Sequence, residues 1–311
     1  MSEQSQNGLE SRRIAFQLLA EVLTRKSPLD QVLVGNEAFQ NLDSRDRNFV
    51  RMLVSTCLRR KGQIDDLIHR TMDQDRPLHP PQAAIVLSIG ICQILFMNVP
   101  HHAAVDTTVE LAKSENMSRQ KGFINAVLRK ISSSTGNAAE SDIYKNFPDW
   151  LITSWREDYG DQAAQEIAMA SLTEPALDLS VKDIGQVERL AGELEARILP
   201  TNSLRLSGGT VPTLEGFEAG EWWVQDFAAS LPVKLAGDVG GRTVFDFCAA
   251  PGGKTMQLAA AGAHVTAIDR SASRMKRLED NLARTGLAAS VNRVVADATS
   301  WMPEEQADII L

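Results

Sequence analysis

The sequence has no apolar run long enough to cross a bilayer, few cysteines and no secretory start, and each shortage narrows what the chain does. The longest apolar run, Ile85 to Met97 (IVLSIGICQILFM), is 13 residues long and includes Ser88, Gly90 and Gln93, short of the roughly 20 that a membrane helix needs. It reads as a buried core helix. The opening residues MSEQSQNGLESRR carry no apolar stretch behind a basic start, so no secretory signal is expected. Cys57, Cys92 and Cys248 lie far apart and form no C-x-x-C, which argues against a disulfide framework or a zinc site. A reducing cytoplasm is the expected compartment, with no membrane and no metal as partner.

What is present suits about two domains with real cores: 311 residues, 43% hydrophobic and 23% charged. Charge divides the chain. Residues 1–130 carry 17 Lys+Arg against 14 Asp+Glu, a net +3, and the remainder carries −11 of the total −8. The global balance is a poor signature for nucleic-acid binding, yet the basic excess is local to the N-terminal part.

From Ser11 to Lys130 the apolar residues keep helical spacing: Ile14, Leu18 and Val22; Phe49, Met52, Leu53 and Thr56; Phe123, Val127 and Ile131. This predicts an all-helical domain over 1–135, closed by the small polar run Ser132 to Asn137. Between 140 and 210 the signals mix. Pro148 before Trp150, Leu151, Trp155 and Tyr159 suits a helix, Leu177, Leu179 and Val181 suit a half-buried strand, and Leu190 and Leu194 suit a short helix. A small α+β connector is predicted there. From 211 to 311 strands alternate with helices: Val244–Cys248, Lys254–Gly262, His264–Ile268, Ala272–Thr285, Val291–Ala296 and a strand from Asp308. That alternation implies a doubly wound parallel sheet.

Ligands of such a sheet bind outside the carboxyl ends of its strands. The first strand runs into Cys248-Ala249-Ala250-Pro251-Gly252-Gly253-Lys254-Thr255, whose glycines permit close backbone approach before a helix N-terminus. The second ends at Asp269, 17 residues after Gly252 and suited to ribose hydroxyls, and the third at Asp297. Together they describe an adenosine-type cofactor site. A phosphate-binding loop is disfavoured, because Cys248 stands where its first glycine belongs and Pro251 removes an N–H.

The ten residues Asp246 to Thr255 (DFCAAPGGKT) resemble the cofactor motif of the RNA cytosine-C5 methyltransferases, the group of the bacterial Fmu/Sun (RsmB) enzymes and the NOL1/NOP2/Sun proteins. Val224-Gln225-Asp226 resembles the segment that precedes the catalytic domain in that group. Val99–Asp106 and Phe123–Arg129 resemble the NusB-like helical domain, which points to the bacterial small-subunit enzyme. The resemblance implies a NusB-like domain, a connector and an incomplete Rossmann-like methyltransferase domain. It also implies S-adenosyl-L-methionine (SAM) held by Cys248 to Lys254, Asp269 on its ribose and Asp297 near its adenine. The implied substrate is a cytosine of 16S rRNA, free or in a small-subunit assembly intermediate, and the enzyme is expected to be a monomer.

Cytosine C5 is a weak nucleophile, so this chemistry adds a thiolate at C6 first. In the family that thiolate lies in a Thr-Cys motif assisted by an Asp-Ala-Pro-Cys segment, both placed after the strand that begins at Asp308. The sequence stops at Leu311, so residues 1–311 are expected to bind cofactor without methylating, with no catalytic residue among them, and residues 211–311 alone to be marginally stable. The alternative is a non-catalytic RNA-binding protein.

Plainer readings stand beside these. Cys248 adjoins no basic residue in sequence and is rejected as nucleophile. Cys57 and Cys92 read as core, and His101-His102 as a turn or a helix start. Trp222-Trp223 reads equally as a base-stacking site or as one core ring beside one surface ring. Lys254 is expected to pair with a cofactor carboxylate, and Asp246 to hold the turn. Arg45, Arg47, Arg51, Arg59, Arg60 and Lys61, against Asp46, give +5 over 17 residues, and Lys113, Arg119, Lys121, Arg129 and Lys130, against Glu115, give +4 over 18. These runs are expected to contact RNA phosphates.

Overall fold

The computed structural model describes residues 3–72, 78–133 and 142–311. Pro77 and the boundary run from Ser134 to Asn137 lie outside the described residues. The chain forms two units, Met1–Glu174 and Pro175–Leu311, so the 140–210 segment is divided between them.

The first unit is helical. It contains α1 (Glu3–Arg25), α2 (Leu29–Gly35), α3 (Glu37–Gln40), α4 (Ser44–Arg59), α5 (Lys61–Thr71), α6 (Gln82–Phe96), α7 (His101–Ser114), α8 (Lys121–Ser133) and α9 (Asp149–Ser171). The apolar run singled out above becomes α6, buried from Ala83 to Ile94 except at Ala84 and Ser88. A Cβ at Gly90 would lie 2.8 Å from Leu128 and 3.0 Å from Thr108, so glycine is what lets α7 and α8 close on α6. Asp43 caps α4 by accepting from the Asp46 amide at 2.8 Å. The buried stripes are Val50, Leu53, Val54 and Cys57 on α4, and Ile124, Val127, Leu128 and Ile131 on α8. Leu53, Val127 and Ile131 are buried as their spacing predicts, while Val50 and Ile124 take the buried places expected of Phe49 and Phe123, because three helical neighbours at i, i+3 and i+4 define the buried face better than one long side chain. Phe123 is 38% exposed and Met52 37%. In α9, Gly160 at φ +82° interrupts the helix, and Trp150 and Tyr159 are exposed.

The second unit holds two four-stranded sheets. The antiparallel sheet has the order β2-β3-β1-β4, formed by β1 (Leu177–Val181), β2 (Arg197–Ile198), β3 (Leu204–Leu206) and β4 (Trp222–Val224), with α10 (Val187–Glu193) packed on it. After α11 (Phe227–Leu235) comes the parallel sheet, order β7-β6-β5-β8. Its strands are β5 (Thr243–Phe247), β6 (His264–Asp269), β7 (Val291–Val295) and β8 (Ile309–Ile310), with α12 (Gly253–Ala260) and α13 (Ala272–Thr285) as crossovers. β1 was expected to be half-buried, but Asp178 and Ser180 are buried as well as Leu179. Asp178 accepts two hydrogen bonds from Arg205 at 2.7 Å and one from the Phe227 amide at 3.1 Å.

Both tryptophans of β4 are buried, Trp222 at 0% and Trp223 at 2% exposure, which overturns the stacking reading and the one-surface-ring reading together. Successive strand residues face opposite ways, and each face is covered here. Trp222 joins the core of the antiparallel sheet and Trp223 that of the parallel sheet.

Candidate functional site

Strand order reverses at β5, which lies between β6 and β8. The crevice outside its carboxyl end is where a doubly wound sheet binds ligands, and the sequence places the glycine-rich turn there. Cys248 leaves β5 with φ +59° and its side chain is exposed. Gly252 sits at the N-cap of α12 with φ +106° and ψ 10°, a conformation L side chains rarely adopt. A Cβ there would also lie 3.0 Å from Leu278 Cγ. The first intrahelical bond runs from the Met256 amide to the Gly252 carbonyl, so the amides of Gly253, Lys254 and Thr255 precede the helix's own ladder.

One face of α13 holds this turn. The Arg274 guanidinium donates to the Ala250 carbonyl, Asn281 donates to the Pro251 carbonyl at 3.1 Å, and Leu278 packs beneath Gly252. Sequence reasoning missed these three residues, although their i, i+4, i+7 spacing was there to read. Gln225 was read only as part of a motif, without its role. That side chain accepts from the Trp223 indole at 2.9 Å, donates to Gln257 at 3.0 Å, and lies 3.5 Å from where a Gly253 Cβ would be. Asp226 beside it caps α11 by accepting from the amides of Ala228 and Ala229.

The three acids occupy different settings. Asp246 is 1% exposed and accepts from the Thr255 hydroxyl at 2.5 Å; burial pushes its pKa up. That is the expected turn-holding role. Asp269, at the end of β6, is buried, accepts from the amides of Ser271 at 2.9 Å and Ala250 at 3.2 Å, and lies 3.4 Å from Arg274. Three donors leave a carboxylate capacity for about one more. Asp297 follows β7 and is exposed; its side-chain and backbone bonds from Thr299 hold its pKa below the usual carboxylate range. The Ala296 amide donates to the Asp269 carbonyl at 3.2 Å, so the two strand ends are neighbours. The turn, Asp269 and Asp297 are brought together as the spacing required.

The other cysteines lie in the helical core. Cys57 follows Thr56, so a Thr-Cys pair does occur, but its thiol is buried 3.6 Å from the Ser88 carbonyl and burial pushes its pKa well up. His101 starts α7 and its Nδ1 is 2.8 Å from the Ser132 hydroxyl. Among the described residues no group of His, Cys, Asp and Glu could hold a metal, and no helix is long and apolar enough to cross a membrane.

The six basic residues from Arg45 to Lys61 separate. Arg45, Arg51 and Arg59 lie on the side of α4 away from its buried stripe. Arg47 turns back to the carbonyls of Gln40 and Leu42, Arg60 donates to Gln63 and the Leu172 carbonyl, and Lys61 pairs with Asp65. In the second run, Lys113 pairs with Glu110 and Arg129 donates to Asn125.

Comparison with known proteins then gives consistent matches. Residues 9–133 match the NusB family, and residues 235–311 match the family described as 16S rRNA methyltransferase RsmB/F. Ribosomal RNA small subunit methyltransferase B of Yersinia enterocolitica is 32% identical over 325 residues, covering 98% of this chain and 74% of that protein. The Synechocystis protein described as probable ribosomal RNA small subunit methyltransferase B is 28% identical, covering 90% and 68%. Among solved structures, PH0851 superposes with a TM-score of 0.70 at 22% identity, over 97% of this chain and 73% of that one, a likeness of fold.

Proposed function

The chain belongs to the ribosomal RNA small subunit methyltransferase B family, and from that premise we propose that its strand-end site binds SAM and serves methylation of a cytosine C5 in 16S rRNA. The observation that carries this reading is the glycine turn, Asp269 and Asp297 standing on adjacent strand ends at the point where strand order reverses.

The residues present fit the cofactor. The left-handed Gly252 keeps side-chain atoms off the turn, and the first-turn amides of α12 with Lys254 are donors suited to an amino-acid carboxylate. Asp269 offers its remaining acceptor capacity to a ribose hydroxyl, and Asp297 lies beside it for the adenine end. Arg274 and Asn281 act from behind, fixing the carbonyls of Ala250 and Pro251. When bound, SAM supplies an electrophilic methyl group. Arg45, Arg51 and Arg59 on α4 are the phosphate-contacting set, while Arg47 and Arg60 are committed to their own unit.

Addition at cytosine C6 is assigned to no cysteine of residues 1–311. Cys57 and Cys92 are buried in the helical unit, and Cys248 lies in the turn that surrounds the cofactor. A polypeptide of residues 1–311 therefore binds SAM and RNA without completing the transfer. The test is tritium transfer from methyl-labelled SAM to 16S rRNA: the expected result is cofactor binding with no labelled RNA. Labelled RNA abolished by Cys248→Ser would overturn the assignment.

A further inference from the structure

The second unit contains a cavity of about 430 Å³ between the antiparallel sheet and the helices α11 and α12, within the size range of small-ligand sites. It is distinct from the cofactor turn. The cavity meets α12 at Gln257 and at its C-terminal end, while the turn occupies the N-terminus of that helix, roughly 8 Å from Gln257 and roughly 12 Å from Ala260 along the axis at 1.5 Å per residue.

Its lining is cationic and rich in neutral hydrogen-bonding groups. Lys182 and Lys234 both border it, and no carboxylate among the described residues lies within 4.0 Å of either ammonium. Lys182 donates to the Thr285 carbonyl at 3.1 Å, which anchors it and leaves its other donors available. Asp183, the one acid on the rim, has an oxygen turned to the amide of Gly185 in its own loop at 2.9 Å. Asn202 and the mutually bonded hydroxyls of Thr201 and Ser203 supply neutral polar lining, while the Gln257 amide is already bonded to Gln225 and the Ser230 carbonyl. The second unit as a whole is acidic, with 13 Lys+Arg against 18 Asp+Glu over residues 175–311. Two lysines without acid partners at one cavity run against that background, and together with neutral donors they select an anion that also offers hydroxyl and amide edges.

We propose that this cavity holds a phosphodiester-linked nucleotide of the RNA substrate, gripped at its phosphates by Lys182 and Lys234. The proposal rests on the rRNA methyltransferase reading and adds a strand contact remote from the reacting base.

The experiment uses the 311-residue chain, the variant Lys182→Gln/Lys234→Gln, and a control variant Lys26→Gln/Lys276→Gln that removes equal charge elsewhere. Binding of a fluorescent single-stranded 20-nucleotide RNA is followed by anisotropy from 50 to 200 mM salt, with melting temperature and S-adenosylhomocysteine affinity measured alongside. Two lost phosphate contacts should make the salt slope shallower by about 1.4 and weaken binding roughly 25-fold at 0.1 M salt. The control should keep the wild-type slope. Cofactor affinity should stay unchanged, and should the double variant prove unstable, each single variant should show half the slope change. An unchanged slope, or an equal change in the control, overturns the proposal. So does binding of cytidine monophosphate that depends on both lysines while RNA binding does not, since that marks a free-nucleotide site. Failure of the wild-type chain to bind S-adenosylhomocysteine would count against the methyltransferase reading instead, and the RNA result would still decide the cavity.

Discussion

Replacing Gly252 by alanine tests whether the turn's shape is what the cofactor site depends on. Two costs are imposed at once. An L residue at φ +106° is strained, and its Cβ would meet Leu278 at 3.0, 3.5 and 3.6 Å from Cγ, Cδ1 and Cβ. Leu278 is fully buried, so it has little room to give. Together strain and overpacking amount to roughly 2–4 kcal/mol. If the variant keeps the turn, the cost appears as lost stability, roughly 8–15 °C in Tm for a unit of this size. If the turn relaxes instead, the cost appears as weaker S-adenosylhomocysteine binding, roughly 30- to 700-fold. The sum of the two, measured by denaturant unfolding and calorimetric titration, stays near the same total. Pairing Gly252→Ala with Leu278→Ala separates the parts in a double-mutant cycle: the shortened side chain removes the contact but not the strain, so a favourable coupling of about 1–2 kcal/mol is expected. A Gly252→Ala chain with wild-type Tm and wild-type affinity would refute the reasoning.

Three further outcomes follow from the same structure. Asp178 is held below the ordinary carboxylate range, first by its bond from Arg205; its contribution is therefore complete above the unfolded pKa of about 4 and is lost as pH falls through the lower folded value. Melting of the second unit should weaken between pH 5 and 3, and Asp178→Asn should flatten that dependence. Trp222→Ala should cost about 3–5 kcal/mol of stability while leaving RNA affinity of the folded protein unchanged, since that ring is fully buried in the core of the antiparallel sheet; loss of RNA binding at full stability would restore the stacking reading. Charge reversal at Arg45, Arg51 and Arg59 should weaken RNA binding and make its salt slope shallower by about 2, with reversal at Arg47 lowering stability instead.

The positions of the glycine-rich turn and the strand-end acids, which we propose hold the cofactor, were legible because they depend on local chemistry. A change of hydrophobic period located β5 and α12, and strand ends in such a sheet are where acids and glycines act. The tryptophans of β4 were not legible, because their burial depends on two sheets covering opposite faces of one strand, and neither face is recorded in neighbouring residues. Arg47 and Arg60 read as surface charge for a similar reason: the carbonyls they serve belong to Gln40, Leu42 and Leu172. The antiparallel sheet was predicted only as a small mixed module, since β2 and β3 are too short to show alternation. Gln225 was noticed as part of a resemblance, but its role appears only when Gln257 and the Trp223 indole are brought to it.

The central claim is that residues 1–311 carry a cofactor site on the ends of β5, β6 and β7. Isothermal titration of the chain with SAM tests it most directly, with ATP as the comparison ligand. The account predicts one-to-one binding of SAM that Gly252→Ala weakens or destabilises, and no measurable binding of ATP. Absence of SAM binding by folded protein, or ATP binding of equal strength, would contradict it.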